Sequence, residues 1–403
     1  MRTTILTAII LPVAALASCN SAASGDTAPT ATAQANENSS TTLASSGEPV
    51  ELQSTSPFDA ASYGSFDEPW ALAFEPGTGV IFITEKPGTM KFYDPRSGRM
   101  GTVTGMPSVA YEGQGGLGAI AFGPDYETTD TIYLSWAKQE GEDTKAVVGR
   151  GTLVCEEADS CYVDGLTEIW EQSRTGPRRG HYSHRIAFSP DGEYLFVSSG
   201  DRQEQDPAQN LENNLGTVVR LNLDGTPAAG NPFADRGSPT DQIWTYGQRN
   251  MLGLEFDSAG NLWALEHGPA GGDELNLVER GNNYGWPTRS NGDNYDGGNI
   301  PDHSPDDGFV KPAISWNPVI APGGMAFYDG SMFADWQGQL LIANLRTQSI
   351  SRVTTDAAAN SADEVARYEM PSRLRDIAVA PDGAIWVIED GSNGRLLRLT
   401  PKG

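Results

Sequence analysis

From Pro69 onward one hydrophobic–polar pattern recurs along the chain. Two or three apolar residues lead into a turn carrying Pro, Asp or Gly, and an aromatic–aliphatic run follows. It reads ALAFEPGTGVIFITE from Ala71, AIAFGPDYETTDTIYLSWA from Ala119 and RIAFSPDGEYLFVSSGD from Arg185. It returns as GLEFDSAGNLWALEHG from Gly253, GMAFYDGSMFADWQGQLLIANL from Gly324 and DIAVAPDGAIWVIEDG from Asp376. Short apolar runs bounded by turn residues predict strands. Six such units, roughly 50–70 residues apart, predict an all-β, six-bladed β-propeller. A β-sandwich also has short strands, but six similar strand–turn–strand units fit blades better. Loops at one end of the blades would then bring side chains together over a central channel.

The chain before the repeats reads differently. Arg2, an apolar stretch from Thr4 to Leu16 and the run Leu16-Ala17-Ser18-Cys19 have the form of an export signal. A small-residue site followed by Cys has the form of a bacterial lipobox. This predicts removal of the leader 1–19 and a lipid anchor to the membrane through Cys19. Asn20 after it points to the periplasmic side of the outer membrane. A plain secretory signal, leaving a soluble periplasmic protein, is the alternative. Residues 20–56 are Ser-, Thr- and Ala-rich with almost no large apolar side chains, so a disordered tether is expected before the catalytic domain at 57–403.

Composition changes the picture in two places. The 403 residues carry 53 acidic against 27 basic side chains, a formal net charge of −26. A nucleic-acid partner needs a basic footprint, so that class is excluded. Cys155 and Cys161, six apart on a polar segment, fit one local disulfide in an oxidising compartment.

Three stretches suggest chemistry. Gly113-Gln114-Gly115-Gly116-Leu117-Gly118 matches the GxGxxG pattern, but a strand rather than a helix follows it, which argues against NAD. Gly180-His181-Tyr182-Ser183-His184-Arg185 holds two of the four histidines; without Cys or a third His nearby it is a weak zinc site. Gln248–Pro287 contains Arg249-Asn250, then Glu266-His267-Gly268-Pro269, Asp273-Glu274 and Asn283-Tyr284-Gly285-Trp286-Pro287. Clustered carbonyl and carboxylate oxygens suit Ca²⁺, although an acidic surface loop has the same composition.

The segment 248–287 as a whole closely resembles the pyrroloquinoline quinone (PQQ) dependent soluble aldose sugar dehydrogenases, the glucose/sorbosone dehydrogenase family. That family carries the Arg-Asn pair, the Glu-His-Gly-Pro-x-Gly-Gly-Asp-Glu-Leu-Asn run and the Asn-Tyr-Gly-Trp-Pro run in this order. The resemblance extends from about Pro69 to Pro401. It implies oxidation of an aldose at C1 to a lactone, with electrons passed to an external acceptor. It assigns His181 as the catalytic base, and an imidazole near neutral pKa suits that work. Gln114 would face quinone and substrate. Arg249, Asn250, Tyr295, Arg346, Arg373 and Arg375 match cofactor-binding positions, where guanidinium forks suit the three carboxylates of PQQ. Gly268 and Pro269 would offer carbonyls to a Ca²⁺ beside the quinone, and Glu274 and Tyr284 match a second, structural Ca²⁺ site. Ser183-His184 stands where the family has two small residues, so a narrower pocket is expected. Two other readings of a propeller are a metal-dependent hydrolase of lactonase type and a non-catalytic binder of carbohydrate or protein.

Overall fold

The computed structural model describes Leu43 and Ser45–Gly403. The leader, Cys19 and most of the 20–56 tether lie outside the described residues. Almost every element is a strand, and the ladders divide into six antiparallel four-stranded runs. Their innermost strands are Pro69–Phe74, Leu117–Phe122, Ser183–Phe188, Met251–Phe256, Pro322–Phe327 and Leu374–Val379. Each contains the first apolar run of one sequence repeat. Each packs against the next and the last packs against the first, so the strands close into the ring of a β-propeller.

Four of the second strands are buried along their whole length: Ile81–Glu85, Leu262–Glu266, Leu340–Asn344 and Ile385–Glu389. Neighbouring sheets cover both their faces, which is why they read as continuous apolar runs rather than alternating ones. The final run is completed from the other end of the chain: Phe58–Phe66 pairs with Gly394–Pro401. Glu48–Val50 then adds a strand outside Phe58–Phe66. A strand therefore lies inside the segment expected to be tether up to residue 56. A short edge strand needs backbone hydrogen bonds but few apolar side chains, so composition did not reveal it. The first two runs merge where Ser160–Tyr162 lies parallel to Thr102–Thr104. Beside that junction Cys155 and Cys161 are disulfide-bonded, stapling a single hairpin.

The residue opening each apolar triplet is Ala71, Ala119, Arg185, Gly253, Gly324 or Asp376. Four are small, and the other two pair across the ring, Arg185 Nη2 to Asp376 Oδ1 at 3.0 Å. Gly324 leaves the room: a Cβ there would lie 1.9 Å from Asp376 Oδ1. Arg185 also donates to Leu252 O and Gly323 O and lies over Trp70, while Asp376 accepts from Leu72 N. One ion pair thus ties most of the runs together beneath the site. Two positions further on, Glu255 stands where the other runs have Ala73, Ala121, Ala187, Ala326 and Ala378. Burial pushes its carboxyl up to about 8. No helix among the described residues is long and apolar enough to cross a membrane.

Candidate active site

In an antiparallel hairpin, the start of the first strand and the end of the second meet at one edge. A cavity of about 450 Å³ lies at that edge of several runs. Gln114 precedes Leu117–Phe122, Asn250 precedes Met251–Phe256, and Arg373 and Arg375 flank the start of Leu374–Val379; all four line it. His267 and Asp390, just past the ends of Leu262–Glu266 and Ile385–Glu389, line it as well.

His181 adjoins this cavity through Gln114, whose Oε1 accepts the His181 backbone N–H at 2.7 Å. That bond occupies the amide oxygen and leaves the NH₂ group to donate elsewhere. His181 Nδ1 lies 2.6 Å from Asp201 Oδ1. Asp201 is fully buried and also accepts from Gln203 N and Trp286 Nε1, both at 2.8 Å. Burial works against the Asp201 carboxylate, but His181, Arg249 and the Gln203 N–H hold its pKa below the usual range. An ionised Asp201 places the imidazole proton on Nδ1. Burial pushes the His181 pKa down, and the Arg249 and Arg202 charges add to that against the pull of Asp201. The ring is therefore a neutral base, with Nε2 free of protein partners among the described residues.

Asp201 was not foreseen from the sequence. A positional signal exists: second strands close on acids or amides at Glu85, Asp201, Glu266, Asn344 and Glu389-Asp390.

His181, Ser183 and His184 all have positive φ, at 49°, 67° and 73°. Non-glycine residues in this region carry strain, and such strain concentrates at functional sites. His184 lines the cavity, stacked on Tyr182 and edge-on to Trp70. Both its ring nitrogens are buried without a partner, and burial pushes it down to about 3, so it is neutral. It fits only because residue 118 is glycine, where a Cβ would lie 2.7 Å from His184 Cγ.

The cations form two groups. Arg373 Nε reaches Asp390 Oδ2 at 2.9 Å, while Arg375 Nε and Nη2 reach Oδ1 at 2.9 and 2.7 Å. Two guanidinium groups against one carboxylate leave net positive charge at the cavity. Arg249 is buried; its Nη1 donates to His267 O at 3.1 Å and its Nε has no partner. Tyr295 is exposed, with its ring 5.9 Å from the Arg249 guanidinium. Arg346 is exposed and outside the cavity lining, which takes its neighbour Leu345 instead.

A second, smaller cavity is lined by Arg249, Glu266, Gly268, Glu274, Tyr284 and Trp286 among others. Glu266 Oε2 accepts from Arg249 N at 2.6 Å, and its Oε1 shares the Asn276 amide with Glu274. Burial pushes Glu266 up to about 7, and burial with the Glu266 charge pushes Glu274 well above its ordinary value. Two such carboxylates cannot both ionise cheaply without a cation. The Gly268 N–H is tied to Asp273, while the Gly268 and Pro269 carbonyls accept no hydrogen bond from the described residues. The Tyr284 hydroxyl bonds Leu277 O and Glu279 N, leaving its backbone carbonyl as the free oxygen. No group of three or more His, Cys, Asp or Glu side chains among the described residues could hold a metal. A cation here would draw on carbonyls, as hard Ca²⁺ does. An unpartnered buried guanidinium nitrogen, a cationic rim and these free oxygens fit a polyanionic cofactor with Ca²⁺.

Residues 66–398 match the glucose / sorbosone dehydrogenase family. The aldose sugar dehydrogenase YliI of Escherichia coli (strain K12) is 34% identical over 341 residues, covering 83% of this chain and 91% of that protein. The apo-form crystal structure of the soluble aldose sugar dehydrogenase from Escherichia coli superposes with a TM-score of 0.79 at 31% identity, over 86% of this chain and 100% of that one. The PQQ-bound form of aldose sugar dehydrogenase from Streptomyces coelicolor gives a TM-score of 0.68 at 27% identity, over 85% and 96%.

Proposed function

As the chain belongs to the glucose/sorbosone dehydrogenase family, we propose that it oxidises aldose sugars at C1 to lactones, using PQQ and Ca²⁺ and passing electrons to an external acceptor. The observation that carries this reading is the His181–Asp201 pair, 2.6 Å apart, beside a cavity rimmed by Arg373 and Arg375. Bound PQQ would supply the two-electron oxidant for the C1 hydrogen, with Ca²⁺ at the Gly268 and Pro269 carbonyls as Lewis acid.

The chain's own residues do the rest. Arg249, with its unpartnered Nε, and Arg373 and Arg375 bind carboxylates, and Asn250 is held at the cavity by Ser183, whose N–H and hydroxyl both donate to its Oδ1. His181 Nε2 takes the proton of the C1 hydroxyl, and Asp201 stabilises the imidazolium that results. Gln114 turns its NH₂ toward the sugar because its oxygen is occupied. His184 and Trp70 bound the space available to the sugar.

The test is PQQ-free protein given PQQ and Ca²⁺ and assayed by dye reduction across a panel of aldoses, with lactone measured in parallel. One lactone per two electrons is expected. Lactone hydrolysis, or sugar binding without dye reduction, would replace this reading with one of its rivals. For the N-terminus we propose export as a lipoprotein acylated at Cys19. Mass spectrometry of the mature protein should find lipid there, and an unmodified N-terminus beyond residue 19 contradicts it.

A further inference from the structure

Trp286 is buried in the wall of the smaller cavity, away from the sugar pocket. Its backbone is held on both sides: its N–H donates to Gly247 O at 2.9 Å, and its carbonyl accepts from Gln209 Nε2 at 2.7 Å. The ring is thereby fixed, with one face 5.2 Å from the Arg249 guanidinium. Its indole N–H donates to Asp201 Oδ2 at 2.8 Å. The other oxygen, Oδ1, serves His181 and Gln203. Resting on the dehydrogenase reading, we propose that Trp286 is a positioning residue for the base. Its N–H fixes the plane of the Asp201 carboxylate and, through it, the tautomer and direction of the His181 ring.

Trp286 is the single donor to Oδ2 among the described residues. Without it a buried carboxylate oxygen loses its only partner, and the group is free to rotate about its terminal torsion, which is soft. A carboxylate short of one donor is also more basic and holds a protonated imidazole more firmly. The other charges facing His181 are Arg249, Arg202 and, when protonated, His267. None of them is removed with the indole, so the His181 titration moves upward in pH. As His181 must be neutral to accept a proton, the acid limb of turnover moves with it. Trp286 touches no sugar-lining position, so KM for the sugar stays.

Trp286→Phe tests this, because phenylalanine keeps an aromatic face under Arg249 while losing the N–H together with part of the fused ring. In loaded enzyme the acid limb of kcat should rise by roughly 0.5–1 pH unit, with kcat near neutrality down roughly tenfold. Sugar KM should stay within about twofold, as the loss is confined to kcat. In the PQQ-free protein, the His181 ring resonance, assigned by its loss in His181→Gln, should titrate higher by a similar amount. The NMR titration needs neither cofactor nor sugar, so it decides the coupling even if the dehydrogenase reading fails. Asp201→Asn supplies the second variant: in that background Trp286→Phe should shift nothing further. An unshifted His181 titration in Trp286→Phe, or an equal shift with Asn at 201, reduces Trp286 to packing.

Discussion

Replacing Asp201 by Asn tests the base most sharply. Three N–H donors converge on this carboxylate, from His181 at 2.6 Å and from Gln203 and Trp286 at 2.8 Å. An amide offers one oxygen. It will face the side with two donors, His181 and Gln203, which keeps the Nδ1–H tautomer but sets its NH₂ against the indole N–H. The larger loss is charge. The pair becomes ionic on both sides only when His181 has taken the substrate proton, so the cost falls on turnover more than on folding. Losing one partner of a buried charge pair costs about 3–5 kcal/mol, which is roughly a 100- to 4000-fold loss of kcat. The assay is initial-rate dye reduction at saturating PQQ, with sugar KM and PQQ affinity measured alongside and expected to change little. A kcat within about threefold of the unmodified enzyme would show that Asp201 does not serve the base.

Arg375→Ala should weaken PQQ binding by about 2–5 kcal/mol, and Arg373→Ala by less, since that side chain is 49% exposed against 15%. Calorimetric titration measures this, and normal affinity in both variants removes them from the cofactor site. Ca²⁺ should raise the unfolding free energy by about 2.7 kcal/mol at a hundredfold excess over its Kd, and Glu274→Gln should abolish most of the gain; an equal gain in the variant moves the ion elsewhere. The Glu255 carboxyl is raised from 4.5 to about 8 by folding, so the folded chain binds that proton more tightly and stability falls as pH rises between these values. Urea unfolding of Glu255→Gln should therefore match the parent near pH 5 apart from a constant offset and lose about 2–4 kcal/mol less by pH 9. Parallel curves across that range would mean that folding does not raise this carboxyl.

The repeats were legible because every run needs the same two things, a small or apolar inner strand and a second strand covered on both faces. The acid behind the base was not, because Asp201 lies one strand beyond His181 and only the hairpin register returns it to the same edge. Asp390 was hidden for the same reason. Arg373 and Arg375 could be matched to cofactor-binding positions, but their shared carboxylate could not be named until the pairing of Leu374 with Glu389 brought the next residue against them. Arg346 follows its strand much as other predicted residues do, but at that turn Leu345 takes the inward direction. Extra bulk at Ser183-His184 could be read from the residues alone. Two ring nitrogens left without partners could not, since that depends on Tyr182 and Trp70 closing around the ring.

If this chain is a quinoprotein sugar dehydrogenase, its aldose oxidation must rise in step with bound PQQ, and a stoichiometric titration measures that. PQQ is added stepwise to cofactor-free protein in excess Ca²⁺, and aldose-dependent dye reduction is measured at each step. No activity is expected at zero PQQ, with a linear rise that breaks at one PQQ per chain. His181→Gln should bind the same one equivalent with little turnover. Aldose oxidation already present without PQQ, or none at saturation with any aldose, would contradict the quinoprotein reading.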